Sequence, residues 1–297
     1  MRLKTTLEQW QTLKAIEQAG SIQSAAVTLN KSHTTLIYSV KKLEDQLGIK
    51  LIEVKGRKAG LTEHGKTMLR RAQSMLEQAR ELEMISEQLN SGVESQITVA
   101  IDHLCEPSWL YTPLSEFLTQ NNTTSVQVVE TSLSKTTDMV VNELADIAII
   151  NLPITNYPAE AFGTTTMVPV IAAQHPLAKK EHISLADFAT TSQIVVRDLG
   201  ESDKAKRDVG WLRARQRITV DNFDHAFRAV EQGVGFCRLP KHLVEYRQND
   251  RLKVIDLEHS NQYQVALHLT LPKGAKSGPA TLALYQTLLD SAKVRVE

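Results

Sequence analysis

In the first ninety residues apolar side chains recur at three- and four-residue spacing, the mark of amphipathic helices sharing a core. Residues 7–18 put Leu7, Trp10, Leu13 and Ile16 on one stripe, and Gly20 is placed to end that helix. Ile22, Ala25, Ala26 and Leu29 form a second, shorter stripe behind Ser21 as N-cap. Leu36, Val40, Leu43 and Leu47 form a third, which Gly48 terminates. Only a few residues around Asn30 and Lys31 separate the second helix from the third, and the paired Ala25 and Ala26 let the two cross closely. That is helix-turn-helix spacing. Opposite its apolar stripe the third helix carries Thr34, Tyr38, Lys41 and Lys42, with Ser32, His33 and Thr35 at its start. A helix in a DNA major groove needs this set: hydroxyls for base edges and phosphates, lysines for phosphates, and an aromatic ring against a thymine methyl. An ordinary amphipathic surface helix would show the same stripe, and the short connection to its predecessor argues against that reading.

The pattern then shortens. Leu51 and Ile52, followed by residues 55–61, read as two strands around a basic, glycine-containing turn, a wing whose Lys55, Arg57 and Lys58 would reach the phosphate backbone. Thr62 caps a long helix predicted over residues 63–90, with Met68, Ala72, Met75, Ala79 and Leu82 near heptad spacing. At 1.5 Å per residue it extends about 40 Å, more than a small domain needs, so it is expected to pair as a dimerisation helix. The alternative is packing on its own domain.

After residues 90–92 the period changes to alternating strands and helices. Strands are predicted over 97–101, 126–130 and 145–150, with helices over 107–118 and 135–144 between them, a βαβαβ order that implies a parallel sheet covered on both faces. A second set follows, with strands over 167–173, 193–197, 218–220 and 234–238 and a helix over 222–231. A strand over 263–271 and a helix over 279–289 then return to complete the first lobe. The fold class is therefore α/β multidomain. Its parts are a winged helix-turn-helix over 1–62, a linker helix over 63–91 and a two-lobed domain over 92–297. The first lobe takes about 92–163 and 266–297, and the second about 164–265.

Composition refines this. The 297 residues have zero formal net charge, yet residues 1–71 hold 13 Lys and Arg against 6 Asp and Glu, and the remainder 21 against 28. A basic module joined to an acidic one points to a polyanion partner for the first alone. No apolar run is long enough for a membrane span, and residues 1–6 contain no signal-peptide core, so a soluble, cytoplasmic protein is expected. Cys105 and Cys237 make neither a disulfide framework nor a metal-ligand cluster, and no metal or other cofactor is called for.

Over its full length the chain resembles the LysR-type transcriptional regulators. The resemblance rests on Gly20-Ser21, Ala25-Ala26, Leu29, Ser32, Leu43-Glu44, Leu47-Gly48, Leu51 and Leu61-Thr62 with Gly65, and more loosely on residues 175–178, 233–235 and 239–240. It implies a winged helix-turn-helix, a dimerising linker helix and a two-lobed effector domain similar to periplasmic binding proteins. It also implies a homodimer that assembles into a homotetramer on an interrupted DNA palindrome, with a small effector in the cleft altering DNA bending and recruitment of RNA polymerase. The chain departs from the family at His33, Thr34 and Thr35, where Gln followed by Pro or Ala is common, and at Tyr38 and Val54, where Arg is frequent. These departures bear on operator preference.

Ligands of open parallel sheets bind beyond the carboxyl ends of the strands. There the sequence places Asp102, His103, Leu104 and Cys105 after the first strand, Asn151 after the third, and Arg197 and Asp198 after the strand that follows the hinge. Helix-terminal amides near Pro107 offer an anion seat that Asp102 and Glu106 oppose, so the charge of the ligand stays open. Asp102, His103 and Cys105 include acid, base and nucleophile types, but neighbours in a loop point in different directions, and the expectation is a non-enzyme. A rival reading is a thiol switch between Cys105 and Cys237, which needs exposed, acidified thiols. A third is an architectural DNA-binding protein without effector.

Overall fold

The chain enters α1 (Leu7–Ala19) through a capping box in which Thr6 Oγ1 accepts the Gln9 amide and Gln9 Oε1 accepts the Thr6 amide. The computed structural model describes residues 3–55, 58–200, 214–256 and 262–296. It divides into two units, Met1–Asn90 and Ser91–Glu297.

In the first unit Trp10, Leu13 and Ile16 are buried as expected. Leu7 is not: it lies in the first turn, its side chain leans back past the start of the helix, and it stays 42% exposed. Ser21 caps α2 (Ile22–Thr28) by accepting the Ser24 amide, and Ser32 caps α3 (His33–Leu47) by accepting that of Thr35. Ala25 and Ala26 are buried against Ile16, Leu36 and Val40, the close crossing their size permits. Gly48 ends α3 at φ 72, a conformation that disfavours any residue with a Cβ. The wing is an antiparallel pair, β1 (Ile52–Lys55) and β2 (Lys58–Leu61), with Lys55 opposite Lys58.

One buried charge ties these elements together. Glu44, on the inner side of α3, accepts the amides of Leu51 at 2.8 Å and Ile52 at 3.1 Å and meets Lys50 Nζ at 2.7 Å. It thereby fixes where the wing leaves the helix. Burial alone would raise its pKa, but the Lys50 ammonium and the two amides outweigh that and hold it below the usual carboxylate range.

Thr62 Oγ1 accepts the Gly65 amide at the start of α4 (Glu63–Asn90) and donates to the Lys50 carbonyl. A Cβ at Gly65 would lie 2.1 Å from the Leu51 carbonyl oxygen, so only glycine lets this helix sit so close to the wing. The first half of α4 packs on its own domain. Leu69, Ala72 and Leu76 are buried with Trp10, Leu43, Leu51 and Leu61, and Met68 lies half-buried beside them. This corrects the expectation of a dimer stripe running the whole length of the helix: Ala72 belongs to the domain core. Farther along, Met75 and Leu82 are exposed and Ala79 is half-buried.

The second unit is built on a mixed sheet. β3 (Gln96–Asp102) runs parallel to β4 (Ser125–Thr131) and β5 (Ile147–Ile150), as the βαβαβ pattern requires. Between them lie α5 (Ser108–Gln120) and α6 (Leu133–Val141). The sheet is not wholly parallel, because β11 (Tyr263–Thr270) joins β5 antiparallel and also pairs with β6 (Ala159–Ala172). β6 starts eight residues before the expected strand and serves both lobes. Its Ala159–Met167 part pairs with β11, and its far part pairs with β9 (Cys237–Pro240) and β10 (Leu252–Val254).

The second lobe adds a parallel pair, β7 (Ser192–Val196) and β8 (Gln216–Val220), with α7 (Phe223–Glu231) and α8 (Lys241–Arg247). β9 begins three residues later than the apolar run 234–238 suggests: Val234 is 45% exposed in the turn after α7, and only Phe236 and Cys237 of that run are deeply buried with Gly235. α9 (Pro279–Val296) returns to pack on α5 and β6, its first amides at Ala280 and Thr281 held by the Glu94 carboxylate. Among the described residues no helix is long and apolar enough to cross a membrane.

Candidate functional site

Two sites follow from this architecture, one in each unit. In the first, burial of Leu36, Val40 and Leu43 turns the other face of α3 outward, and Ser32, His33, Thr34, Thr35, Tyr38, Lys41 and Lys42 are all exposed. Tyr38 is 67% exposed, and Ile37 beside it is exposed as well, an apolar contact the sequence reading passed over. Ser32 Oγ lies within hydrogen-bond distance of the Thr34 and Thr35 hydroxyls, so the start of the ridge is pre-ordered. The expected contact at Arg57 lies outside the described residues, and Lys55 and Lys58 are placed only as the strand ends flanking the turn.

In the second unit the cleft between the lobes holds a cavity of about 100 Å³. His103, Leu104, Leu133 and Asn151 line it from the first lobe, and Gln193, Arg197, Phe223 and Arg238 from the second. Tyr263, at the start of β11, closes one side under the Arg238 guanidinium, 5.3 Å from its ring centre. Arg197 is exposed and held by Asp221, with Nε 2.5 Å from Oδ1. His103 stands edge-on to Phe223 with ring centres 4.7 Å apart, and burial pushes its pKa down to about 4, so the ring is neutral near pH 7.

Asp102, Cys105 and Asp198 are not among the residues lining this cavity. Asp102 is buried, accepting the Leu104 amide at 3.0 Å and the Leu133 amide at 3.4 Å, with Thr136 Oγ1 at 3.5 Å. Burial pushes its carboxyl up to about 6 against those bonds, and nearby Asp198 adds to the rise. Asp198 is also buried. Both its oxygens lie 3.2 Å from the Ser134 amide at the start of α6, and the Leu199 amide donates to Ser132 Oγ at 2.8 Å. These bonds tie the second lobe to the first.

Cys105 and Cys237 are both buried, and burial pushes the first thiol up strongly and the second to about 12. Neither has the thiolate character a sensor requires. Asp102, His103 and Cys105 do not form a relay. Cys105 Sγ donates to the Glu106 carbonyl, and among the described residues the buried His103 Nδ1 has no hydrogen-bond partner. No cluster of potential metal ligands occurs among the described residues.

Gln193, Phe223, Arg238 and Tyr263 were missed by the sequence reading. Arg238 left a trace there, as a charged residue closing an apolar run. Tyr263 left none, since an antiparallel strand delivers it to the cleft from its amino end.

A helix-turn-helix with a wing, followed by a two-lobed α/β unit with a cleft between its lobes, defines a DNA-binding regulator with a sensing domain. Comparison with known proteins agrees. Residues 7–66 match the bacterial regulatory helix-turn-helix protein, lysR family, and residues 90–293 match the LysR substrate binding domain. The chain belongs to the LysR family of transcriptional regulators. It is 31% identical over 241 residues to the multiple virulence factor regulator MvfR of Pseudomonas aeruginosa, covering 80% of this chain and 71% of that one. It is 27% identical over 248 residues to the HTH-type transcriptional regulator YeeY of Escherichia coli, covering 82% and 80%. Full-length LysG of Corynebacterium glutamicum has the same fold, with a TM-score of 0.52 at 18% identity over 98% of both chains.

Proposed function

We propose that this regulator binds an interrupted DNA palindrome as a homodimer, or a tetramer of paired dimers, and that a small effector in the inner cavity of the cleft changes how it presents DNA to RNA polymerase. The observation that carries the DNA side is the exposed polar and basic ridge of α3 above a buried apolar stripe. His33, Thr34 and Tyr38 read bases, Ser32 and Thr35 order the start of the helix, and Lys41, Lys42, Lys55, Arg57 and Lys58 engage phosphates. The cleft binds without turning its ligand over, which the separate hydrogen-bond partners of Asp102 and Cys105 support.

Binding of a palindromic and a random duplex across a salt series tests this. Lys42→Ala is expected to weaken both duplexes alike and to lower the salt slope by about 1, whereas Tyr38→Ala should cost about 1–2 kcal/mol on the preferred sequence only. Equal effects of both variants on both duplexes would refute the assignment of roles.

Dimerisation is assigned to the outer part of α4, through Met75, Ala79 and Leu82 with Met68 at its edge. Ala72 is set aside as a core residue. Leu82, 67% exposed, is the informative position. Leu82→Asp is expected to leave the fold intact and raise the dimer dissociation constant at least about tenfold, read by sedimentation. An unchanged dimer would remove α4 from the interface.

A further inference from the structure

The His103–Phe223 ring pair has a second side. It lines the inner cavity and also an outer chamber of about 600 Å³, bounded by the loop from β3 to α5 and the end of β4 on one lobe and by the start of α7 and the length of α8 on the other. A volume of that size holds a molecule of one or two rings. Phe223, His242, Leu243, Pro107 and Pro240 supply flat and apolar surface, and Tyr246, 88% exposed, stands at the rim.

The chamber's lining carries three carboxylates, Glu106, Glu130 and Asp224, against one guanidinium, Arg247. Of its acids, Asp224 is satisfied by Arg228 and Arg247, and Arg247 is further committed by stacking 4.5 Å over Phe227. Among the described residues neither Glu106 nor Glu130 is in an ion pair. Among the described residues Glu106 accepts from the Ser108 hydroxyl alone. Arg295, whose field reaches Glu106, is itself laid over the rings of Trp109 and Phe162 and donates to the Phe162 carbonyl. Both histidines at the wall are driven towards the neutral form by burial. The buried His103 Nδ1 has no partner among the described residues, an available acceptor when the other ring nitrogen carries the proton.

We propose that the outer chamber is a second ligand site, separate from the inner cavity, that binds a small organic cation: an aryl-alkyl ammonium whose ring lies between Phe223 and Tyr246 and whose ammonium is held by Glu106 and Glu130. A carboxylate there would face two acids that no described residue pairs, whereas an ammonium gains two charge-assisted hydrogen bonds and an aromatic rim.

Titration calorimetry of the full chain with tyramine tests this, with 3-(4-hydroxyphenyl)propionate as the same frame carrying the opposite charge. Tyramine is expected to bind saturably, and the propionate at least about tenfold more weakly. The double variant Glu106→Gln, Glu130→Gln should weaken tyramine at least about tenfold, and Tyr246→Ala, at an exposed position that leaves folding intact, about threefold. Asn151→Ala, in the inner cavity, should leave tyramine binding unchanged. No saturable binding by about 10 mM, equal binding of the propionate, or indifference to the double variant would each overturn the proposal. Equal loss in Asn151→Ala would show one continuous site and overturn it too. None of these outcomes depends on DNA binding or on an effector in the inner cavity.

Discussion

Glu44→Ala is expected to unfold the DNA-binding unit well before the rest of the chain. The substitution orphans the Leu51 and Ile52 amides at the base of the wing, and water does not readily replace a partner that is 7% exposed. Each buried donor left unmade costs about 1–3 kcal/mol, so the unit should lose about 3–4 kcal/mol in all. The Lys50 contact adds little because that lysine is largely exposed. For a unit of this size the loss corresponds to a fall in melting temperature on the order of 15 °C, visible in calorimetry as an early transition. The pKa of Glu44 is held low in the folded state. Its contribution is therefore present above the ordinary carboxylate range and lost as pH falls through the folded value, so variant and wild type should converge in acid. An unchanged early transition near neutral pH would mean that Glu44 does not hold the wing.

Asp102→Asn should do the opposite to the second unit. With its carboxyl raised from 3.8 to about 6, Asp102 favours the folded state only while protonated. That advantage is present below the ordinary aspartate pKa and is lost as pH rises through about 6, a difference of about 3 kcal/mol for a shift of roughly two units. An asparagine keeps an acceptor for the Leu104 amide but turns its NH₂ towards other donors. The expected gain is therefore smaller, about 2 kcal/mol at about pH 8 and close to nothing at about pH 4. Thermal unfolding of the pair across this range checks it, and a stability difference that does not grow with pH would refute the assignment.

The first unit was the more legible in the sequence, because it is made of local signals. Ser21 and Ser32 cap α2 and α3, Gly20 and Gly48 end α1 and α3, and each apolar stripe packs on the next helix in the chain. The early part of β6 was not legible. Residues 159–166 are rich in Ala and Thr, lack a clear apolar alternation, and are held in a strand by their register with β11, a hundred residues away. α8 has seven residues and no side-chain cap to announce it.

The cleft divides the same way. Asn151 and Arg197 were found because they follow the carboxyl ends of strands, the place a parallel sheet presents to ligands. Asp198 was found in position but not in role, because the start of α6 that it engages is some sixty residues earlier. The outer chamber left only a partial mark, in the Glu106 that opposes an anion at the helix start near Pro107. Glu130, His242 and Tyr246 meet it only after both lobes have folded, and each alone reads as an ordinary surface residue.

β6 and β11 cross from lobe to lobe as one hydrogen-bonded ribbon, paired from Tyr263 opposite Met167 to Thr270 opposite Ala159. Such a ribbon resists being stretched or sheared, since either motion breaks its ladder, but it yields to twist, which spreads over many small changes in φ and ψ. The lobes are thus joined by a torsion bar rather than a hinge pin. Motion of one lobe against the other that keeps this ladder intact is a rotation, largest at the points farthest from the ribbon.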